Sequence, residues 1–394
     1  ELLTLEDRYK KDVIKLKPKD LSIIKDASII FNESEILWVG KTDKVPAEYS
    51  QIKGLNLKEK TLTPELVDSH THLIFAGDRS SEYSMRLNGE SYENIAKAGG
   101  GILSTVKSTN QASRDELFKL ACQRIEKIYS YGVGTIEIKS GYGLNFEKEK
   151  ELSLIINDLK RHFSPKIQII NTFMAAHAIP KEYKKSNDYL RKEVIPLLEE
   201  LADKKIIDIV DIFHEESYFD SEDTHLLFEV AKKFEIPCKS HADEFKDNDG
   251  ASLAVKYGCL SCDHLLKTSV SGIKDLSSSP TIATLLPATA FFLGKEQVNA
   301  RRFLDNGVKV AIASDYNPGS SHYDNLLMIA SITAPTYKMN QAELWSAITL
   351  NSAHALGLKK QGCLIPGMKS RFSIFNCNSL DKITYSWGVN FFQL

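Results

Sequence analysis

Residues 61 to 75 read TLTPELVDSHTHLIF. Leu66 and Val67 lead into the polar Asp68-Ser69-His70-Thr71-His72, and Leu73, Ile74 and Phe75 resume the apolar run. Side chains on a β-strand alternate faces, so His70 and His72 project the same way. Two imidazoles at that spacing can share one metal ion, and imidazole nitrogen suits zinc or iron. The plainer reading is the polar end of an ordinary strand. The pair gains weight only if other strand ends supply further ligands.

Working outward, short β-rich apolar runs alternate with amphipathic helical patterns from residue 62 onward. The runs cover 66–75, 133–139, 167–176, 206–214, 237–242, 259–265, 281–286 and 308–314, and helical patterns at 114–131, 146–161, 189–201 and 221–234 separate several of them. About eight strand–helix units in roughly 250 residues predict an α/β fold, a (β/α)₈ TIM-like barrel. Before it, Ala27 to Phe31 and Glu35 to Gly40 flank the turn-forming Asn32-Glu33-Ser34, which predicts a hairpin. Ser373-Ile374-Phe375, after Pro366-Gly367, resembles a returning strand. The expected division is therefore 1–61 as one part of a small β-sandwich domain, 62–358 as the barrel, and 359–394 as the rest of the small domain, built from both chain ends.

Composition narrows the function. The 394 residues are 42% apolar and 26% charged, with 50 Lys plus Arg against 52 Asp plus Glu. That near-balance gives no basic excess for nucleic acid and no charged tail. No apolar run approaches the roughly 18 residues that span a bilayer, and no signal-peptide pattern opens the chain. The sequence begins at Glu1 rather than Met, so residues before it are expected. The six cysteines are scattered, which fits reduced thiols and a cytoplasmic protein. Cys259 and Cys262 form a lone CxxC on a strand, where residues three apart face opposite sides, so no metal or redox role is assigned. The loop after the first strand carries Gly99-Gly100-Gly101 without a following Gly-Lys-Ser/Thr, which points to a tight backbone approach or a lid rather than a phosphate loop.

Active sites of such barrels sit at the C-terminal strand ends. Those ends carry His70 and His72, Lys139 running into Tyr142, His177, His214 with Glu215, His241 with Asp243 and Glu244, His264, and Asp315 followed by Asn317-Pro318-Gly319. Six of the ten histidines fall there, which implies a metal-dependent hydrolytic site. Each has a plainer alternative. His177 could be a core histidine bonded to backbone, His214 a solvated loop residue, and Asp315 an Asx cap. Lys139 reads either as a modified metal bridge or as a structural lysine. His162, His225, His322 and His354 receive no role.

In order, VDSHTH, EIKSGYG, AAHAIP, SHADEF, DHL, ATLLPATAFFLG and SDYNPGSS closely resemble the imidazolonepropionases of the amidohydrolase superfamily. The resemblance runs from about Thr63 to Leu358, with Gly388-Val389-Asn390 also typical. It implies one Zn²⁺ or Fe per chain, held by His70, His72, His241 and Asp315. It implies 4-imidazolone-5-propanoate as small-molecule substrate, contacted by Arg79, Tyr142, His177 and Glu244. The product, N-formimidoyl-L-glutamate, would also meet Asn317, Gly319 and Ser320, in histidine degradation. Water is the co-substrate, and a homodimer is the family-level expectation. The expected chemistry places Asp315 at the proton of the attacking water, His264 at the oxyanion and Glu244 as proton shuttle to the ring nitrogen. Three positions depart from the family pattern: Tyr316, Leu266 and Ser370-Arg371. Two other readings compete. A related amidohydrolase acting on another cyclic amide or amidine is disfavoured by Arg79 and Tyr142, which suit a carboxylate tail. A non-catalytic paralogue is disfavoured because every expected ligand is present.

Overall fold

The computed structural model describes residues 1–11, 15–90, 94–95 and 100–393. Gly99, in the glycine-rich loop, lies outside the described residues. Leu2–Leu3 (β1), Ile23–Ile24 (β2), Thr61–Pro64 (β5) and Phe372–Phe375 (β14) make a small sheet, ordered β14-β5-β1-β2. Ala27–Phe31 (β3) and Ile36–Lys41 (β4) form the expected antiparallel hairpin. Its turn is set by Asn32, whose Oδ1 accepts from the N–H groups of Ser34 and Glu35. The two chain ends meet where β14 pairs antiparallel with β5, from Phe372 opposite Pro64 to Phe375 opposite Thr61. Arg371, one of the departures from the family pattern, has a local purpose here. Its Nε donates to Glu65 Oε1 at 2.6 Å and its Nη2 to Gly134 O at 2.7 Å. Thr135 donates to the same Glu65 oxygen at 2.6 Å. The returning C-terminal segment is thereby tied to the floor of the barrel.

Among the described residues, the barrel strands are Leu66–Asp68 (β6), Val133–Lys139 (β7), Gln168–Ala176 (β8), Ile209–His214 (β9), Lys239–Ala242 (β10), Ser261–His264 (β11), Ile282–Leu285 (β12) and Val310–Ile312 (β13). They lie in chain order in one parallel sheet. Helices cover the outside and side chains fill the inside, so the strands are buried on both faces and read as unbroken β-rich runs. The first and last strands close the circle: Asp315 N–H donates to His70 O at 3.0 Å, and His72 N–H to Tyr316 O at 2.9 Å. The fold is a (β/α)₈ barrel.

The differences from expectation are local. β6 ends at Asp68 instead of running to Phe75. Beyond it Thr71 O still accepts from Lys139 N–H of β7 at 3.0 Å, while the same stretch also bonds to the chain after β13, with Thr71 bridging Tyr316. The 189–201 pattern becomes three pieces, Ser186–Tyr189, a π-helical Leu190–Val194, and Ile195–Asp203. Pro196 lacks an N–H, and the ladder widens where that donor is missing. The three other helices expected from the sequence start where side chains cap them: Ser113 before Arg114–Tyr129, Asn145 before Phe146–Phe163 and Asp220 before Ser221–Lys233. No helix among the described residues is long and apolar enough to cross a membrane.

Candidate active site

His70 and His72 sit just beyond β6 with their Nε2 atoms 3.3 Å apart. His241, on β10, brings its own Nε2 to 3.3 Å from that of His72. The three imidazoles are buried, and one ligand nitrogen from each lies within 4.8 Å of the others. Asp315 Oδ1 stands 3.5 Å from His70 Nε2 and 3.7 Å from His72 Nε2. The tautomers can be reasoned out. His70 Nδ1 lies 2.7 Å from Asp263 Oδ2, and His241 Nδ1 lies 3.2 Å from Asp211. A carboxylate accepts, so each Nδ1 carries the proton and each Nε2 presents a lone pair. His72 can place one Nε2 proton on one of those lone pairs, never on both. At least one close nitrogen–nitrogen contact is then left without a hydrogen bond across it, a donor set that fits a bound cation.

Sequence reasoning missed the layer beneath. Lys139 Nζ lies 2.6 Å from Asp211 Oδ2 and 2.8 Å from Glu137 Oε2. Lys239 Nζ lies 3.0 Å from Glu137 Oε2, 3.2 Å from Asp263 Oδ2, and 2.6 Å from Ser69 O. All five charged side chains are fully buried. This decides the Lys139 alternative. Burial alone lowers its ammonium pKa, but Asp211, Glu137 and Asp263 outweigh burial and hold it above the usual lysine value. A protonated, ion-paired lysine is structural and does not bridge metals. The signal was present in the sequence, since Glu137 with Lys139, and Lys239 with His241, are charged residues two apart inside buried β runs.

Beside this cluster stand one more acid, Glu244, and a further histidine, His264. Glu244 Oε2 lies 3.7 Å from His264 Nδ1. Burial, and then the charge of Asp315, push the Glu244 carboxyl up to about 8. Burial pushes Asp315 up to about 6, although Thr289 donates to its Oδ2 at 2.5 Å. His264 is held well below the usual histidine value by burial. The backbone that aims these groups adopts the left-handed region at Asp243, His264, Leu265 and Asp315, with φ of 53°, 79°, 62° and 50°. Such conformations are uncommon for residues other than glycine and gather at functional sites. At His264 the consequence is visible. Strand alternation is broken, so Asp263 and His264, adjacent in sequence, both face the imidazole cluster, with His264 ring centroids 5.6 Å from His70 and 5.2 Å from His241.

The remaining expected residues line the approach. His177 stacks on His72 with centroids 4.8 Å apart and planes at 19°, and its Nδ1 lies 3.1 Å from Gly141 O. Burial pushes its pKa down to about 3, so it is a neutral ring. Tyr142 sits 5.4 Å from His177 and 6.0 Å from His72, centroid to centroid. Arg79 donates through Nε to Glu82 Oε2 at 2.9 Å, and both side chains are largely buried. Glu82 also accepts from Gly101 N–H at 3.1 Å, the tight backbone approach expected of that loop. A Cβ on Gly319 would overlap Arg79 Nη1, which places the guanidinium against the loop after β13. Asn317 shapes that loop: its Oδ1 accepts from the N–H groups of Gly319 and Ser320, both at 2.8 Å. His214 lies apart from the cluster, with its nitrogens at Thr224 Oγ1 and Asn248 O.

A closed barrel with three imidazoles and a carboxylate converging at its strand ends defines a metal-dependent amidohydrolase, and the amidohydrolase family profile matches residues 218–390. The imidazolonepropionase of Geobacillus thermodenitrificans is 37% identical over 397 residues, covering 99% of this chain and 93% of that protein. That of Idiomarina loihiensis is 38% identical over 374 residues, covering 94% and 91%. The chain belongs to the imidazolonepropionase family. Solved structures share the fold at lower identity. A zinc-complexed atrazine chlorohydrolase from Arthrobacter aurescens has a TM-score of 0.69 at 14% identity, covering 97% of this chain and 91% of that one. Guanine deaminase from C. acetobutylicum has 0.65 at 16%, covering 90% and 86%.

Proposed function

We propose that this chain hydrolyses the cyclic amide of 4-imidazolone-5-propanoate to N-formimidoyl-L-glutamate, in histidine degradation. The observation that carries the reading is the convergence of His70, His72, His241 and Asp315 beside Glu244 and His264, in a chain whose relatives are imidazolonepropionases. The barrel, from β6 to about residue 358, carries the chemistry, and 1–64 with 359–394, which hold the small sheet, close its floor. His70, His72, His241 and Asp315 would hold one zinc or iron ion. Such an ion polarises a carbonyl and brings the pKa of water from 15.7 toward about 7.

The chain's own groups do the rest. Asp315, raised toward neutrality, accepts the proton of the attacking water. His264, a neutral ring, donates a hydrogen bond to the oxygen that gains charge. Glu244, protonated at neutral pH, delivers its proton to the ring nitrogen as the amide C–N bond breaks, which leaves a carboxylate and a formimidoyl nitrogen. His177 and Tyr142 pack along the ring. Arg79, Gly319 and Ser320 surround the propionate, with Asn317 holding their loop.

Freshly generated imidazolonepropionate should lose its ultraviolet absorbance on incubation with the purified protein, with formimidoylglutamate accumulating; an unchanged spectrum removes the assignment. Elemental analysis of protein purified without added metal should give about one transition-metal ion per chain, because the donors match a single zinc-type ligand set. Two equivalents would require a bridging ligand, and Lys139 is already committed to Asp211 and Glu137.

A further inference from the structure

The inward-facing layers of such barrels are dominated by branched apolar residues. Here one layer, directly under the imidazole cluster, is made of charges: Glu137 and Lys139 from β7, Asp211 from β9, Lys239 from β10 and Asp263 from β11, all fully buried. Burying charge this way is unfavourable unless partners and hydrogen bonds compensate. They do so without a gap. Glu137 joins the two lysines and takes a further hydrogen bond from Thr172 at 2.6 Å, and Asp263 takes one from Ser261 at 2.6 Å. A purely structural core would be simpler in apolar residues. What the charged layer adds is a specific hold on the rings above it.

We propose that this layer is a positioning device for the metal ligands, in which Lys239 and Asp263 fix His70, and Lys139 and Asp211 fix His241, each as the tautomer whose Nε2 lone pair faces the ion. The geometry is specific. Lys239 grips His70 twice, through the carbonyl of the preceding Ser69 at 2.6 Å and through Asp263, which holds the ring nitrogen at 2.7 Å. Lys139 aligns Asp211, whose two oxygens reach Lys139 and His241. Glu137 ties both halves together, so a shift in one arm is felt in the other. Two ammonium groups against three carboxylates also leave the layer one net negative charge, which favours a cation placed above it. Neither arm touches substrate, so these are positioning residues. The inference rests on His70, His72 and His241 holding a metal.

The test is zinc affinity of the full chain, measured by competition with a chelator of known strength. Asp263→Asn and Asp211→Asn keep shape but can present an amide N–H₂ to the ring and invert its tautomer. Each should weaken zinc binding about 10–100-fold, the usual scale for loss of a ligand's outer partner. Glu65→Gln is the control: it breaks a buried network at the barrel floor, so it should lower the unfolding temperature and leave zinc affinity unchanged. The wild-type chain gives an independent readout. Nitrogen-15 histidine spectra of the metal-stripped protein should show His70 and His241 as Nδ1–H tautomers. Wild-type zinc affinity in both Asn variants, or an Nε2–H tautomer at either ring, overturns the proposal, and the spectra decide it if the variants do not fold. A wild-type chain that binds neither zinc nor iron overturns the metal reading itself, and this proposal with it.

Discussion

Glu244→Gln is expected to lower kcat by about 10²–10⁴-fold, the usual scale for general acid–base catalysis, with metal content at the wild-type level. Glu244 follows His241 by three residues, on the loop leaving β10, and its carboxyl lies 3.7 Å from His264 Nδ1. The loop is held from elsewhere. Glu215 accepts from Phe245 N–H at 2.8 Å and from Asn248 Nδ2 at 2.7 Å, and Asp243 accepts from Thr268 at 2.9 Å. The glutamine variant should therefore keep the loop and lose only the transferable proton. Burial is the larger cause of the raised Glu244 pKa, with Asp315 second. The acid thus stays biased toward its protonated form, as a donor to a leaving nitrogen must be. Steady-state kinetics with parallel metal analysis is the check. A near-normal kcat in a fully loaded variant removes Glu244 from proton transfer.

The parts of this molecule legible in the sequence are those where one physical rule dominates. Strands buried on both faces advertise themselves as β-rich runs, and all eight expected barrel strands are present among the described residues. Histidines at strand ends are conspicuous because so few residue types serve as metal ligands. Strand ends were less legible. The regular part of β6 stops at Asp68, and beyond it the backbone bonds on both sides, to Lys139 of β7 and to the chain after β13, contacts between distant segments that no local pattern encodes. The charged layer escaped notice for a related reason. Glu137 and Asp211 look like interruptions of apolar runs until lysines from other strands, Lys239 and Lys139, are placed against them. His264 is a third case. Its backbone, at φ 79°, breaks the alternation by which the sequence would have sent Asp263 and His264 to opposite faces. Arg371 reads as a departure from the family pattern, and only the fold supplies Glu65 as its partner.

Arg79→Met is expected to raise KM about ten- to a hundredfold with kcat nearly unchanged, since a hydrogen-bonded charge pair contributes roughly 1.5–3 kcal/mol. The resemblance reads Arg79 as a clamp for a carboxylate; the plainer alternative is a surface pair with a neighbouring acid. The structure gives it an acidic partner, Glu82 at 2.9 Å, but in a largely buried setting rather than on the surface. That pair occupies the Nε and Nη2 edge of the guanidinium. The Nη1 corner lies against Gly319, so close that no side chain fits there. A planar cation fixed along one edge is pre-organised at the other, which reduces the ordering that binding requires. Gly319 belongs to the loop that begins at Asp315, so Arg79 is tied to the same segment that faces the imidazoles. The propionate keeps its charge throughout the reaction. Its contacts are equally strong in the ground and transition states, and their loss falls on KM rather than kcat. Arg79→Lys should restore only part of the affinity, because an ammonium cannot keep the Glu82 edge and the free corner together. If KM for the Met variant stays at the wild-type value, the carboxylate is bound by other groups, and the strongest structural argument for a carboxylate-bearing substrate is lost.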